Sequence, residues 1–414
     1  MKTLVVERNV ARFAASRLAS AFGSGRGAAV GPLRLVDVDP PDRPGGDGWV
    51  RLVPTLSGIC GSDLATLDGR SSRYFEDLVS FPFVPGHEVV GVLDADGTDR
   101  SGAPLAAGTR AVIEPVLGCA PRGINPRCPA CAAGHTGACP HLTDGRLAPG
   151  LQTGYCASTG GGWSAAGLWA HASQLHAVPD ALSDEDAVMV EPTACAVHAV
   201  RTAGIGDGDV VAVVGAGTIG LAVVAALAHA LAPVTPGAVV VGARYPHQRQ
   251  LAERLGATAA VTPEQLPRAV RRVTRSLAVA GSVTGGADVV LDCAGTAESL
   301  ATSLALTRNG GRVALVGMPG RVQVDLAPLW HRELTLAGAY AYGVEAPADG
   351  SAGDGRRTFD VAIDLVASAG LGDLVSATYP LERYEEALAH AGAAGRRGAV
   401  KIAFAPRNRK GRAR

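Results

Sequence analysis

Residues 209–220 read DVVAVVGAGTIG. The apolar, β-branched run 210–214 fits a short buried strand. Gly215-Ala216-Gly217-Thr218-Ile219-Gly220 follows directly, and 221–232 then reads as a helix with almost no polar face. Strand, glycine turn and helix together form the setting of a dinucleotide-binding fingerprint. Gly215 permits the tight turn, Gly217 lets backbone approach a pyrophosphate, and Gly220 lets the helix sit close on the strand. The diphosphate would rest on free N–H groups at the helix start, which makes Gly215, Gly217, Thr218, Ile219 and Gly220 the candidate nucleotide-binding residues. The plainer alternative is a glycine-rich turn in another α/β domain. Residues 210–232 also approach the length of a membrane span, but three glycines in the first half argue for strand and helix.

With 414 residues the chain exceeds one ordinary core, so two domains are expected. Lys plus Arg and Asp plus Glu balance at 38 each, and 47% of residues are hydrophobic, which suits a soluble enzyme. Neither nucleic acid nor a membrane is expected as a partner. The short basic run 407–414 reads as a disordered tail. The start, MKTLVVERNVARF, places Glu7, Arg8 and Arg12 where a signal peptide needs apolar residues, so a cytoplasmic protein is expected. Eight cysteines there point to metal or thiol chemistry rather than disulfides.

Along the chain, 4–6, 33–38 and 49–56 read as short strands, and 14–31 as a loop or frayed helix. Strand character returns at 84–93, 109–114 and 168–178. From 184 the pattern alternates: a helix at 184–203 with Ser183 as its cap, then strands at 238–242, 259–261, 287–292, 312–317 and 334–339 with helical stretches between them. Alternating strands and helices imply a parallel, doubly wound sheet. Two further amphipathic helices (359–369 and 381–391) and a strand at 399–404 follow. The division expected is a β-rich domain of 1–188 and 340–414, interrupted by a nucleotide domain of 189–339.

Cys128, Cys131 and Cys139 lie in an irregular loop, with Cys119 upstream. Four thiolates in one loop with little apolar material suit a closed tetrahedral zinc; the alternative is a set of free thiols. A second set is scattered: Cys60 in GICGSD, His87 and Glu88 in PGHE, and Glu191 in VEP. Each is weak alone. Together they offer one sulfur, one nitrogen and one or two oxygens, leaving an open position as catalytic zinc requires. Cys156, Cys195 and Cys293 read as small buried residues.

These motifs, in this order, resemble the zinc-dependent medium-chain dehydrogenase/reductase family of alcohol and polyol dehydrogenases, over roughly residues 52–404. The resemblance implies an α/β protein with a GroES-like catalytic domain and a Rossmann domain. It implies that Cys60, His87 and Glu191 hold a catalytic zinc, with Glu88 the neighbouring carboxylate able to swing onto it. Asp63 would orient His87 from behind, and Ser62 would pass the substrate proton toward solvent. Glu114 matches a carboxylate of the polyol branch, with a structural ion pair as the equal alternative. Asn125 stands where the family's first loop cysteine is usual, so Cys119 is the replacement. Trp163 and Trp169 either line the substrate cleft or anchor their loop.

The family's acidic ribose-binding position falls on Ala243, followed by Arg244 and, one helical turn on, Arg249. Losing the carboxylate and gaining guanidinium favours the 2′-phosphate of NADP over NAD. The expectation is therefore a reaction between NADP(H) and a secondary alcohol, polyol or matching ketone, with two zincs per chain. The assembly expected is a homodimer or homotetramer joined through the strand at 334–339. The alternatives are an NAD-dependent threonine- or sugar-dehydrogenase-like enzyme and a non-catalytic nucleotide-binding protein.

Overall fold

The computed structural model describes residues 1–39, 41–279, 282–345 and 355–407. Most of the basic tail, 408–414, lies outside the described residues. The chain divides into two compact units, Met1–Glu191 with Gly370–Arg414, and Pro192–Ala369. Sequence alone places 340–369 with the first unit. In the structure, helix Thr358–Ala369 packs on helix Thr218–His229, and the segment groups with the second.

The first unit is built on a mixed sheet. Its strands run in the order Val375–Tyr379, Lys401–Phe404, Trp49–Gly58, Val89–Leu93, Arg110–Ile113 and Leu175–Ala177, and Leu168–His171 also pairs with Trp49–Gly58. The central strand Trp49–Gly58 is long and mostly buried, so it carries neighbours on both edges. One core joins Leu4, Phe83, Trp163, Leu388, Ile402 and Phe404; another joins Leu52, Val89, Leu93, Ile113 and Leu168. Burying such side chains is worth roughly 1.5–3 kcal/mol each.

The stretch 14–31, expected as loop or frayed helix, is entered by a true helix, Val10–Ser20, that begins before it. The Asn9 side chain caps it by accepting from Arg12 N–H. A turn of 3-10 helix, Arg26–Ala29, follows. The helix expected at 184–203 is two, Asp184–Val188 and Val190–Thr202, meeting at Met189. Ser183 Oγ accepts from Asp186 N–H at 3.0 Å, and the Asp186 carboxylate answers it, forming a capping box.

The second unit holds a six-stranded parallel sheet. Its order is Ala259–Val261, Ala238–Gly242, Val210–Val214, Ala287–Asp292, Thr307–Leu315 and Thr335–Gly338. Numbered along the chain this is 3-2-1-4-5-6, the doubly wound arrangement. Val240, Val290 and Val313 are buried in its core, as expected of parallel strands covered by helices.

Candidate active site

Cys60 sits at the N-cap of the short helix Gly61–Leu67, just beyond the end of strand Trp49–Gly58. His87 and Glu88 immediately precede strand Val89–Leu93, and antiparallel pairing aligns Ser57 with Val89. Gly58 N–H donates to the Glu88 carbonyl at 2.8 Å, which brings the two motifs side by side. A Cβ at position 58 would collide with the Glu88 carboxylate, so only glycine fits there.

The Cys60 sulfur, a His87 nitrogen and a Glu88 oxygen lie within 4.8 Å of one another. With zinc–ligand bonds of about 2.0–2.3 Å, that spacing admits one shared ion. His87 and Glu88 are buried. Asp63 lies behind them: its Oδ2 accepts from Cys60 N–H at 2.9 Å, and its Oδ1 stands 3.6 Å from His87 Nδ1. Turned this way, the imidazole has Nε2 left for an ion. Burial pulls the His87 pKa down, but the Asp63 charge and the Cys60 contact outweigh it, so it stands well above the ordinary histidine value. Tyr155 hydroxyl donates to Asp63 Oδ1 at 3.4 Å and also meets Ser62 and Thr66. Burial, then the Asp63 charge, keeps that phenol protonated.

Glu191 is buried in the same unit, in the first turn of helix Val190–Thr202, but it is not among the three converging donors. Its charge is felt at Lys401, a residue that no motif marked. Lys401 Nζ donates to both Glu88 oxygens at 2.6 Å. The one available signal was a lone lysine opening the otherwise apolar final strand, Lys401–Phe404.

The four loop cysteines come together, all buried, with every sulfur within 4.8 Å of the others. Cys119 Sγ is 3.7 Å from Cys139 Sγ, which in turn is 3.9 Å from Cys128 Sγ. A tetrahedron with Zn–S bonds of about 2.3 Å has sulfurs about 3.8 Å apart, whereas a disulfide needs about 2.05 Å. Cys119 thus stands in the place that the Asn125 departure left open. N–H groups of Cys128 and Cys131 point at Cys119 and Cys128 sulfurs, at 3.4 Å each. Burial pushes Cys139 up to about 11, and Cys131 higher still. Against the same burial, N–H and thiol donors hold Cys128 down to about 7. Fully buried Arg122 ties the loop, donating to the carbonyls of Leu117, Asp144, Leu147 and Gly150.

Other candidates fall elsewhere. Glu114 accepts from Thr136 Oγ1 at 3.0 Å and faces His176 Nε2 at 3.6 Å, so it braces the cysteine loop from the residue just past strand Arg110–Ile113. Trp163 is fully buried, donating to Gly58 O and meeting Phe404 edge-on, and Trp169 donates to Pro41 O. Both anchor their loop. Of the leftover cysteines Cys156 is fully buried, while Cys195 and Cys293 are partly exposed.

In the second unit Gly215 has φ +97°, a conformation that penalises any side chain. A Cβ at Gly220 would collide with the Gly215 carbonyl oxygen, whereas a Cβ at Gly217 meets nothing within 4 Å among the described residues. The space over Gly217 is what a pyrophosphate approaching this backbone requires. Thr218 and Ile219 open helix Thr218–His229, whose first N–H groups border that space. Ala243 follows the next strand, Ala238–Gly242, and Arg244 is exposed. Arg249 Nη1 is spent on the turn itself, donating to the carbonyls of Ala243 (3.0 Å) and Arg244 (3.1 Å).

Comparison with known proteins agrees with this layout. The family model for the alcohol dehydrogenase GroES-like domain matches residues 46–180, and that for zinc-binding dehydrogenase matches 218–368. Sorbitol dehydrogenase of Arabidopsis thaliana is 32% identical over 317 residues, 75% of this chain and 77% of the relative. Sorbitol dehydrogenase of Bacillus subtilis is 28% identical, over 81% and 84%. A crystal structure of a zinc-binding dehydrogenase from Sinorhizobium meliloti bound to NADP superposes with a TM-score of 0.65 at 28% identity, covering 90% of this chain and 95% of that one. With the paired cysteine sites, the glycine turn and these relatives in place, the chain belongs to the zinc-dependent medium-chain alcohol and polyol dehydrogenases, and it is an oxidoreductase.

Proposed function

We propose that the enzyme interconverts a polyol or other secondary alcohol with its ketone, using NADP(H) in preference to NAD(H), and carries two zincs. Cys60, His87 and a carboxylate, Glu88 or Glu191, hold the catalytic ion, and Cys119, Cys128, Cys131 and Cys139 hold the structural one. The observation that carries the reading is the convergence of Cys60, His87 and Glu88 in one buried cluster. The sorbitol dehydrogenase relatives support a polyol substrate.

Zinc at this cluster supplies Lewis acidity, making an alcohol acidic enough to ionise near neutral pH. The residues do the rest. Asp63 fixes the His87 ring, and Lys401 neutralises Glu88, so the cluster carries fewer uncompensated charges. Ser62 takes the hydroxyl proton toward solvent. A dinucleotide would be held by the Gly215–Gly220 turn, and its nicotinamide would supply the hydride acceptor for an alcohol and the hydride donor for a ketone. Arg244 grips the 2′-phosphate, while Arg249 shapes the turn that presents it. The NADP-bound relative supports that choice. Strand Thr335–Gly338, at the sheet's edge, is the surface proposed for a homodimer or homotetramer. The cytoplasm is the proposed compartment.

A panel of polyols, secondary alcohols and ketones assayed with NADP(H) and NAD(H), alongside metal analysis, tests this. About two zincs per chain and a clearly higher kcat/KM with NADP(H) are expected. Equal specificity constants for the two cofactors would favour an NAD-using threonine- or sugar-dehydrogenase-like enzyme. Absence of turnover with every carbonyl or alcohol would reject the reading.

A further inference from the structure

Helix Val10–Ser20 is mounted with its apolar side outward. Ser16 is buried, and its hydroxyl donates to the Leu67 carbonyl. At about 100° per residue, Val10, Ala14 and Leu18 fall on the side opposite Ser16. Val10 is 82% exposed, Leu18 74%, and Phe22, just past the helix end, 81%. The mounting is firm. Asn9 caps the helix, Arg17 donates to the Gly69 carbonyl at 2.9 Å, and Phe13 meets Phe81 edge-on at 6.3 Å. Water therefore faces three large apolar side chains on a fixed surface.

Charge around this face is one-sided. Residues 8–36 contain Arg8, Arg12, Arg17, Arg26 and Arg34 and no Asp or Glu, in a chain whose overall charge is zero. Arg8, Arg17 and Arg26 are exposed. Nearby acids are engaged elsewhere. Asp68 accepts from Ser24, Gly25 and Arg70, and Glu386 binds Arg383. Glu385 accepts from Tyr384 within helix Tyr384–Gly392, which packs on the turn Arg26–Ala29, and Glu7 precedes the run. Both family matches begin after this segment, at residue 46 or later.

An outward apolar stripe rimmed by arginine is the pattern of a helix lying in a membrane interface. We propose that residues 8–31 dock the enzyme on an anionic lipid surface, with Val10, Leu18 and Phe22 entering the headgroup boundary and the arginines meeting lipid phosphates. The expectation of no membrane partner rested on the lack of a span. Indeed, no described helix is long and apolar enough to cross a bilayer, but a surface helix needs neither length nor full apolarity. A second copy of the chain is the weaker occupant, because it would bring arginine against arginine.

Vesicle flotation with purified protein tests this, using phosphatidylglycerol–phosphatidylcholine vesicles against phosphatidylcholine alone. Binding at least tenfold greater on the anionic vesicles is expected, falling at least tenfold in 0.5 M salt and in the double variant L18D/F22D. R8E should weaken it without touching the apolar stripe. Zinc content and turnover of the variants report that the fold and the proposed catalysis are intact, so failure here is separable from failure of the assigned reaction. Equal binding to both vesicle types, unchanged binding by L18D/F22D, or self-association that L18D/F22D abolishes would overturn the proposal.

Discussion

Lys401 Nζ lies 2.6 Å from both carboxylate oxygens of Glu88, and both side chains are almost wholly buried. The pair links the final strand to the residue beside His87, across 313 positions of sequence. Removing one member of such a pair leaves an uncompensated buried charge, at a cost of about 3–5 kcal/mol. K401M should therefore lower the thermal midpoint strongly and weaken zinc retention against a chelator. K401M/E88Q should recover much of the stability but not the catalytic rate. A K401M protein as stable as wild type would refute the pair's importance. The pH dependence has a definite sign. Burial lowers the Lys401 pKa, but the Glu88 charge and hydrogen bond, with the Cys60 and Glu191 charges, together outweigh it and leave it above the usual 10.5. The pair's contribution is thus complete below pH ~10.4 and is lost as pH climbs through the higher folded value. Chemical denaturation between pH 9 and 12 should show this loss in wild type and not in K401M/E88Q.

The cysteine loop should lose its metal and its order together. On the proposed two-zinc reading, C119S is expected to reduce zinc from two to one per chain and to lower the thermal midpoint, because that ion would order a loop with few apolar contacts. Zinc affinity of the metal-free loop should fall as pH drops from 8 to 6. The site binds the ion through thiolates, so protons compete with zinc, and Cys128, at about 7, regains its proton across that range. Zinc titration with a colorimetric chelator at each pH reads this directly; a pH-independent affinity would count against thiolate ligation.

Gly220 tolerates no side chain, since its Cβ position is taken by the Gly215 carbonyl oxygen. G220A should displace the turn and reduce dinucleotide affinity at least tenfold. G217A meets no protein atom and should fold normally while losing affinity, because the methyl occupies the pyrophosphate's approach. Isothermal titration with NADP+ distinguishes the two, with circular dichroism as the folding control.

Arg244 is the exposed cation beside Ala243. R244A should raise KM for NADPH ten- to a hundredfold, the loss of about 1.5–3 kcal/mol for a charge-assisted bond, and leave NADH kinetics nearly unchanged. R249A should impair both cofactors, because its guanidinium supports backbone carbonyls. Steady-state kinetics with each cofactor separates a phosphate grip from a scaffold.

Much of this was legible in the chain. The valine runs at 210–214 and 238–242 mark buried parallel strands because only apolar residues survive there, and the glycines between strand and helix mark the turn. Cys60, His87 and Glu88 carry short motifs that the strand pairing brings together. Other parts were hidden for physical reasons. Helix Val10–Ser20 inverts the usual rule, placing Ser16 inside and Leu18 outside, so its periodicity points away from its packing. Lys401 belongs to no local pattern, and its meaning depends on a carboxylate three hundred residues earlier. Cys119, by contrast, was legible as the fourth loop cysteine despite Asn125, and the structure brings its sulfur to the other three. Residues 340–369 changed unit because helix Thr358–Ala369 finds its partner in Thr218–His229, a long-range contact that no local sequence pattern announces.

Strand Lys401–Phe404 closes against Trp49–Gly58, which gives biosynthesis a timetable. The ribosome must emit residue 404 before the early half of the metal-binding unit can acquire its last neighbour and its lysine. The intervening nucleotide unit is complete by then and is free to fold first. Until that moment the nascent Glu88 carboxylate waits without its counter-charge, so a stalled or clipped product would carry an intact dinucleotide turn and a half-built centre.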